Sequence, residues 1–145
     1  MSRTEEDYII LREIQKNTEM GMRAINMLTE RTADHALRQQ IENQRVRYSE
    51  FHNRATKGLL ASKQESYQPN KITNLMLSGS VFASTIFDTS NSHIAELMIQ
   101  GSNRGITDMY KYLKHNNHVS NDTIEFAKEL MDFEERSIEA LRSYL

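Results

Sequence analysis

The stretch that decides the fold is residues 34–61, DHALRQQIENQRVRYSEFHNRATKGLLA. It holds one glycine and no proline, and its apolar side chains recur every three or four residues. That spacing places them on one face of a single α-helix, about 40 Å long at 1.5 Å per residue. We therefore predict a helix that opens at Thr32 or Asp34 and ends near Ala61. Its inner face comprises Leu37, Ile41, Gln44, Tyr48, Phe51, Ala55 and Leu59.

The same spacing precedes this helix. Residues 2–5, SRTE, fit a capping box, and acidic Glu6 and Asp7 follow where the helix dipole favours them. A first helix is therefore predicted to start at Ser2 or Thr4 and to end at the polar break 30–34. Its inner face comprises Ile10, Ile14, Asn17, Gly21, Ala24 and Leu28.

The chain beyond its single proline, Pro69, repeats the pattern. Asn70 caps a predicted segment with Ile72, Leu75, Gly79, Phe82 and Ile86 on one face. The polar run DTSNS then interrupts the helix, because Ser, Thr and Asn side chains compete for backbone hydrogen bonds. The next segment carries Ala95, Ile99, Asn103, Ile106, Tyr110 and Leu113, and ends at Asn116 or Asn117 as a left-handed cap. The last helix opens at Ser120 or Asn121 and carries Ile124, Ala127, Met131, Glu134, Ile138, Leu141 and Leu145.

Glycine and proline are rare in the whole chain, with five Gly and one Pro among 145 residues. All-β folds need these residues for their frequent turns, whereas long helices exclude them. Four apolar faces on four rods are best buried in a bundle. The sequence predicts an all-α, antiparallel up-down four-helix bundle, a single domain over residues 1–145, with its third helix interrupted near Asp88–Ser92.

Composition excludes several classes of function. There is no cysteine, so disulfides, thiolate metal sites and cysteine nucleophiles are excluded. The formal net charge of -2 gives no general attraction to nucleic acid or to an anionic membrane. No apolar run approaches the roughly 20 residues of a membrane span, and the start lacks the pattern of a secretion signal. We therefore expect a cytoplasmic protein.

Polar side chains occupy core positions of the predicted helices. Asn17, Gln44 with Tyr48, Asn103 and Glu134 each lie near the middle of a helix and could meet in one interior polar layer. An unpaired buried amide or carboxylate costs on the order of 1–3 kcal/mol, so these groups are expected to pair with one another, with water or with a cation. A layer of this kind can fix the register of the helices.

A metal centre is the alternative interpretation of that layer. Di-iron bundles use Glu-x-x-His pairs, because residues three apart share a helix face. No such pair occurs; Ser137 follows Glu134 at that distance. We therefore expect no metal and no other cofactor. The sequence favours a protein without enzymatic activity over an enzyme. The alternative is iron or manganese at a non-standard site built from Glu19, Glu50, Glu134 and Glu135.

Three stretches resemble the ferritin-like superfamily: QKNTEMGMRAI (15–25), QRVRYSEFHNRA (44–55) and SHIAELMIQGSNRGITDMYKYL (92–113). The resemblance is to uncharacterised bacterial bundle families with an interrupted third helix, and more loosely to spore coat F-type proteins. It implies a ferritin-like bundle. It does not imply ferroxidase activity, since this chain departs from the family pattern at Asn17, Gln44, Asn103 and Ser137.

Three hypotheses of function follow. The first is a non-enzymatic bundle with a degenerate metal layer and a structural, stress or assembly role. The second is a metal-binding oxidoreductase or metal-storage protein. The third is a bundle that binds a small apolar ligand, of unknown identity, in a Met-lined interior. Consecutive Leu75, Met76 and Leu77 suggest a segment buried on more than one side, which predicts a homodimer.

Overall fold

Four helices account for most of the computed structural model, which describes residues 3–69 and 88–145. We label them α1 (Glu5–Thr29), α2 (His35–Ala61), α3 (Asn91–His115) and α4 (Asn121–Leu141), and a 3-10 turn follows at Arg142–Tyr144. Within those two ranges there is no β-strand, and none of the helices is long and apolar enough to cross a membrane. The chain is thus all-α where it is described.

Each helix begins at a side chain that caps it. Thr4, Asp34, Ser90 and Ser120 accept hydrogen bonds from the first turns of α1, α2, α3 and α4 respectively. A Ser, Thr or Asp cap satisfies a backbone donor that the helix itself leaves unpaired. The predicted starts of the first, second and last helices are confirmed. The DTSNS run, residues 88–92, contains both the cap Ser90 and the first residue of α3.

The core draws buried apolar side chains from all four helices, with α1 packed mainly on α2 and α3 packed mainly on α4. The whole predicted inner face of α2 is buried. Phe51 lies with its ring centroid 5.7 Å from that of Phe133 and 6.1 Å from that of Phe126, and Tyr48 meets Phe133 edge to face at 5.2 Å. Aromatic pairs at these distances add to the stabilisation from burial, so α4 is held firmly against α2.

The buried stripe of α3 is shifted by one position along the helix from the predicted stripe. Ile94, Met98, Ser102, Gly105 and Met109 are buried there, in addition to Ala95. Asn103 and Tyr110 are exposed, so the predicted interior position of Asn103 is wrong. The cause is the small size of Ser102 and Gly105, which lets α3 lie close to α1 on a face that carries fewer large side chains.

Two smaller predictions are also wrong. Leu145 is exposed instead of extending the inner face of α4. The left-handed cap predicted at Asn116 or Asn117 does not form. Asn116 ends α3 in an extended conformation (φ −127°), and among the described non-glycine residues only Lys63 has a positive φ. Predictions that fall on residues 70–87 lie outside the described residues. They concern Asn70 as a cap, the apolar face from Ile72 to Ile86, and the run Leu75–Leu77.

Candidate functional site

A groove of about 420 Å³ opens between α1 and α3. We call it the α1–α3 groove. Its walls are apolar and rich in methionine, its floor carries buried polar side chains from α2, α3 and α4, and its rim is charged. The lining residues on α1 are Lys16, Asn17, Met20, Gly21, Arg23, Ala24, Met27 and Leu28; those on α3 are Leu97, Met98, Gly101, Ser102, Arg104, Gly105 and Asp108; α2 and α4 contribute Tyr48 and Glu134.

The floor of the groove is built on a hydrogen bond between α2 and α4. The Tyr48 hydroxyl donates to Glu134 Oε2 at 2.7 Å, and the two residues are 3% and 2% exposed. Burial raises the pKa of Glu134 to about 7, although the hydroxyls of Ser102 and Tyr48 oppose that rise. Burial and the neighbouring Glu134 raise the pKa of Tyr48 as well. Near neutral pH the floor therefore holds a carboxyl group that is only partly ionised.

Ser102 lies beside Glu134 and Tyr48 at the floor. Its side chain is buried and its hydroxyl acts to lower the pKa of both neighbours, but it makes no hydrogen bond of good geometry with any described residue. Unpaired buried hydroxyls are costly, and native proteins pair most of them. A polar group of a molecule that enters the groove could supply the partner that Ser102 lacks.

Asn17 closes the floor from the side of α1. It is half-buried, and its amide nitrogen donates to the carbonyl oxygen of Gly105 at 3.4 Å. A Cβ atom on Gly105 would lie 2.6 Å from Asn17 Oδ1 and 3.4 Å from Glu134 Oε1. Glycine at this position therefore brings the backbone of α3 against both polar side chains.

Gly21 has the same role for Tyr48. A Cβ atom there would lie 2.7 Å from Tyr48 Cε2, inside the distance that real Cβ atoms keep. The ring cannot move aside easily, since it is buried and its hydroxyl is held by Glu134. The absence of a side chain on α1 thus leaves space for the tyrosine that forms the floor.

Two glycine substitutions should have opposite effects on stability. We expect Gly21→Ala to lower the free energy of unfolding by about 1–2 kcal/mol, because overpacking against the Tyr48 ring exceeds the gain in helix propensity. Gly101→Ala should raise it by about 1 kcal/mol, because a Cβ atom there meets nothing within 4 Å. Urea unfolding of both variants measures this. Equal effects would contradict the close contact at Gly21.

The rim of the groove carries three basic side chains and one acidic side chain, Lys16, Arg23, Arg104 and Asp108. Arg104 Nε lies 3.1 Å from Asp108 Oδ2, which pairs these two residues. Lys16 and Arg23 form no ion pair with any residue in the ranges 3–69 and 88–145. The rim is therefore basic, although the chain as a whole carries a net negative charge.

Gln44 lies apart from the groove. It is buried on α2, one turn before Tyr48, and neither its amide nitrogen nor its amide oxygen has a hydrogen-bond partner among the described residues. Of the predicted polar layer, the structure brings together Asn17, Tyr48 and Glu134 at the groove. It places Gln44 outside the groove lining and Asn103 at the surface.

The four carboxylates of the alternative metal site do not form one cluster. Glu19 contacts His52 Nε2 at 3.0 Å, Glu50 pairs with Arg47, and Glu135 is exposed, while Glu134 is bonded to Tyr48. Over residues 3–69 and 88–145 no three His, Asp or Glu side chains stand close enough together to hold a metal ion.

Sequence reasoning missed Ser102 and Glu13. A second stripe on α3, Ile94, Met98, Ser102, Gly105 and Met109, has the same helical spacing as the predicted one and could have identified Ser102. Glu13 is 4% exposed, and burial raises its pKa to about 7, against the effect of Lys16. No local signal identifies Glu13, because it lies off the apolar stripe of α1.

Comparison with known protein families, with curated proteins and with solved structures gave no match.

Proposed function

We propose that this protein is a non-enzymatic, ferritin-like helical bundle that binds a small molecule in the α1–α3 groove. The observation that carries the proposal is the composition of the groove, an apolar-walled space whose floor among the described residues holds the buried polar side chains of Glu134, Tyr48 and Ser102. Small-molecule sites typically occupy a few hundred Å³ and combine apolar walls with a few polar groups that orient the ligand. A storage, stress or assembly role would act through this binding.

Contacts between α1 and α2 support an antiparallel pair. Arg3 donates to the carbonyl of Gly58, Gln15 to the hydroxyl of Thr56, and Glu19 contacts His52. In these contacts the residue numbers on α2 decrease as those on the α1 side increase. This is the order expected of two helices that run in opposite directions.

Contacts between α1 and α3 support the ferritin-like part of the proposal. Glu6 accepts from the backbone of His118, just beyond α3, while Met27 shares the groove with Leu97 near the start of α3. The ends of α2 and α3 then both lie near the start of α1, so α2 and α3 run the same way. Ferritin-like bundles have this order, with one crossover connection, whereas the up-down succession expected from the sequence would alternate the directions. We therefore propose one crossover connection in place of the up-down succession.

The chemistry of the floor favours binding over metal catalysis. Glu134 is the one carboxyl group there, and the groups around it are a phenol, a hydroxyl and an amide. Multivalent cations need several carboxylate oxygens to offset their charge. These neutral groups instead suit hydrogen bonds to an uncharged part of an organic molecule. The homodimer and the cytoplasmic location stay predictions.

Binding of a neutral fluorescent probe tests the proposal. We expect N-phenyl-1-naphthylamine to bind with increased fluorescence, and Gly101→Leu to weaken its binding at least about 10-fold, because Gly101 lines the groove and a Cβ atom there meets nothing within 4 Å, which leaves space for the added side chain to take up. Asn103→Leu is the matched control, because Asn103 lies on the same helix, is exposed and does not line the groove.

The two variants separate groove binding from surface binding. Loss of binding in Gly101→Leu with unchanged binding in Asn103→Leu supports the proposal. Absence of probe binding, or equal affinity in all three proteins, overturns it. Stoichiometric iron or manganese in the purified protein that is lost in Glu134→Gln would favour the metal-binding alternative instead.

A further inference from the structure

Among the described residues, the basic side chains of the α1–α3 groove all stand at its rim. Lys16 and Arg23 stand on α1 without an ion-pair partner among the described residues, and Arg104 stands opposite on α3. The one acidic rim residue, Asp108, is already engaged by Arg104 Nε at 3.1 Å. Unpaired basic groups at the mouth of a cleft attract anions, and low-dielectric walls strengthen that attraction.

Below the rim the walls carry no charge. Met20, Ala24 and Met27 of α1 face Leu97 and Met98 of α3. Methionine side chains are flexible and polarizable, so they adapt to an apolar body of irregular shape. The groove therefore pairs a basic mouth with an apolar interior.

We propose that the molecule bound in the groove is a small amphipathic organic acid, with its anionic group between Lys16 and Arg23 and its apolar body along the methionine-rich walls. This inference rests on the proposed function and specifies its ligand class. The opposite orientation, with the anion at the floor, would set it against the Glu134 carboxyl group, the phenol of Tyr48 and no basic side chain. Like charges at short distance repel, so the rim is the favourable place for the anion.

The other charged groups near the rim leave it basic. Glu13 lies close enough to Lys16 for the lysine to oppose the rise in the carboxyl pKa, and Asp108 lies close enough to Glu13 to reinforce that rise. With its pKa raised to about 7, Glu13 is only partly ionised near neutral pH. Its charge therefore offsets that of Lys16 only in part.

Three ligands of one chain length test the charge preference. Octanoate, 1-octanol and octylammonium differ only in their head groups, and each is titrated against the bound naphthylamine probe at neutral pH and low salt. We expect octanoate to displace the probe at a concentration about 10-fold lower than octylammonium, with octanol between them. Added salt should weaken octanoate binding alone, because it screens exposed charges.

Charge removal at the rim tests the location of the head group. The double variant Lys16→Gln, Arg23→Gln should weaken octanoate binding about 5-fold and leave octanol unchanged, since exposed charge pairs each contribute modestly. Lys57→Gln with Arg136→Gln is the charge-matched control, because both residues are exposed and neither lines the groove.

The outcomes distinguish the ligand class from the groove itself. If the probe binds but octanol or octylammonium equals octanoate, or if the rim variant binds octanoate as the control does, the ligand class is overturned and the groove remains a binding site. If neither the probe nor any octyl compound binds, the proposed function fails with it. Selective weakening of octanoate in the rim variant supports the inference.

Discussion

Glu134→Gln is expected to remove about half of a fall in stability that the native protein shows as the pH rises from about 4.5 to about 7. Burial raises the pKa of Glu134 from 4.5 to about 7, so the folded state binds this proton more tightly than the unfolded chain does. Its contribution is present in full below the unfolded pKa and is lost as the pH rises through the folded pKa. The shift corresponds to about 3 kcal/mol in the free energy of unfolding.

Urea unfolding at a series of pH values measures this effect. Glutamine keeps an acceptor for the Tyr48 hydroxyl and carries no charge, so Glu134→Gln should match the native protein near pH 4.5 and exceed its stability near pH 7.5. Glu135→Gln, at an exposed neighbouring position, is the control and should follow the native curve. A slope of similar size should persist in Glu134→Gln from Glu13, whose pKa is also raised to about 7. Parallel curves for the native protein and Glu134→Gln would show that Glu134 is not desolvated.

Asp7→Ala should lower the free energy of unfolding by about 3 kcal/mol. Asp7 is fully buried, and its two oxygens accept from the backbone nitrogens of Thr4 and Ser120, each at 2.7 Å. Alanine removes the charged acceptor of both partly buried hydrogen bonds and the acid from the first turn of α1, and a hydrogen bond to a charged group contributes about 1.5–3 kcal/mol. Thermal and urea unfolding measure the loss.

The pH dependence of the Asp7 contribution runs opposite to that of Glu134. Burial raises the pKa of Asp7, but the backbone donors of Thr4 and Ser120 outweigh it and hold the pKa below its usual value. The stabilisation is therefore present above the unfolded pKa and is lost as the pH falls through the lowered one. Glu5→Ala, at an exposed position in the same turn, is the control. If Asp7→Ala and Glu5→Ala lowered the free energy of unfolding by similar amounts, Asp7 would stabilise the protein only through the helix dipole.

Local features of the sequence were enough to predict the helices. The caps Asp34 and Ser120 act within one turn, and the apolar side chains of α2 repeat with helical spacing, so neither prediction needed the rest of the chain. Intrinsic preferences and periodicity operate at this range.

Contacts between helices could not be predicted from such local features. Two stripes on α3 share the same period, and only the close approach of α1 at Gly105 decides that Ser102 faces inward and Asn103 outward. The groove likewise depends on Gly21 lying against Tyr48 from another helix. Asp7 was recognisable as a first-turn acid, but its bond to Ser120 joins positions that no spacing rule connects.

The Asp7 carboxylate also links the start of α1 to the start of α4. Its two oxygens bind the backbone at the start of α1 and the backbone at the start of α4, while Thr4 and Glu6 hold the backbone of His118 between them. The earliest described helix and the last one are thereby clasped at a single end. Fraying of either first turn must break these hydrogen bonds for both, so the starts of α1 and α4 are expected to open as one cooperative unit despite their distance along the polypeptide.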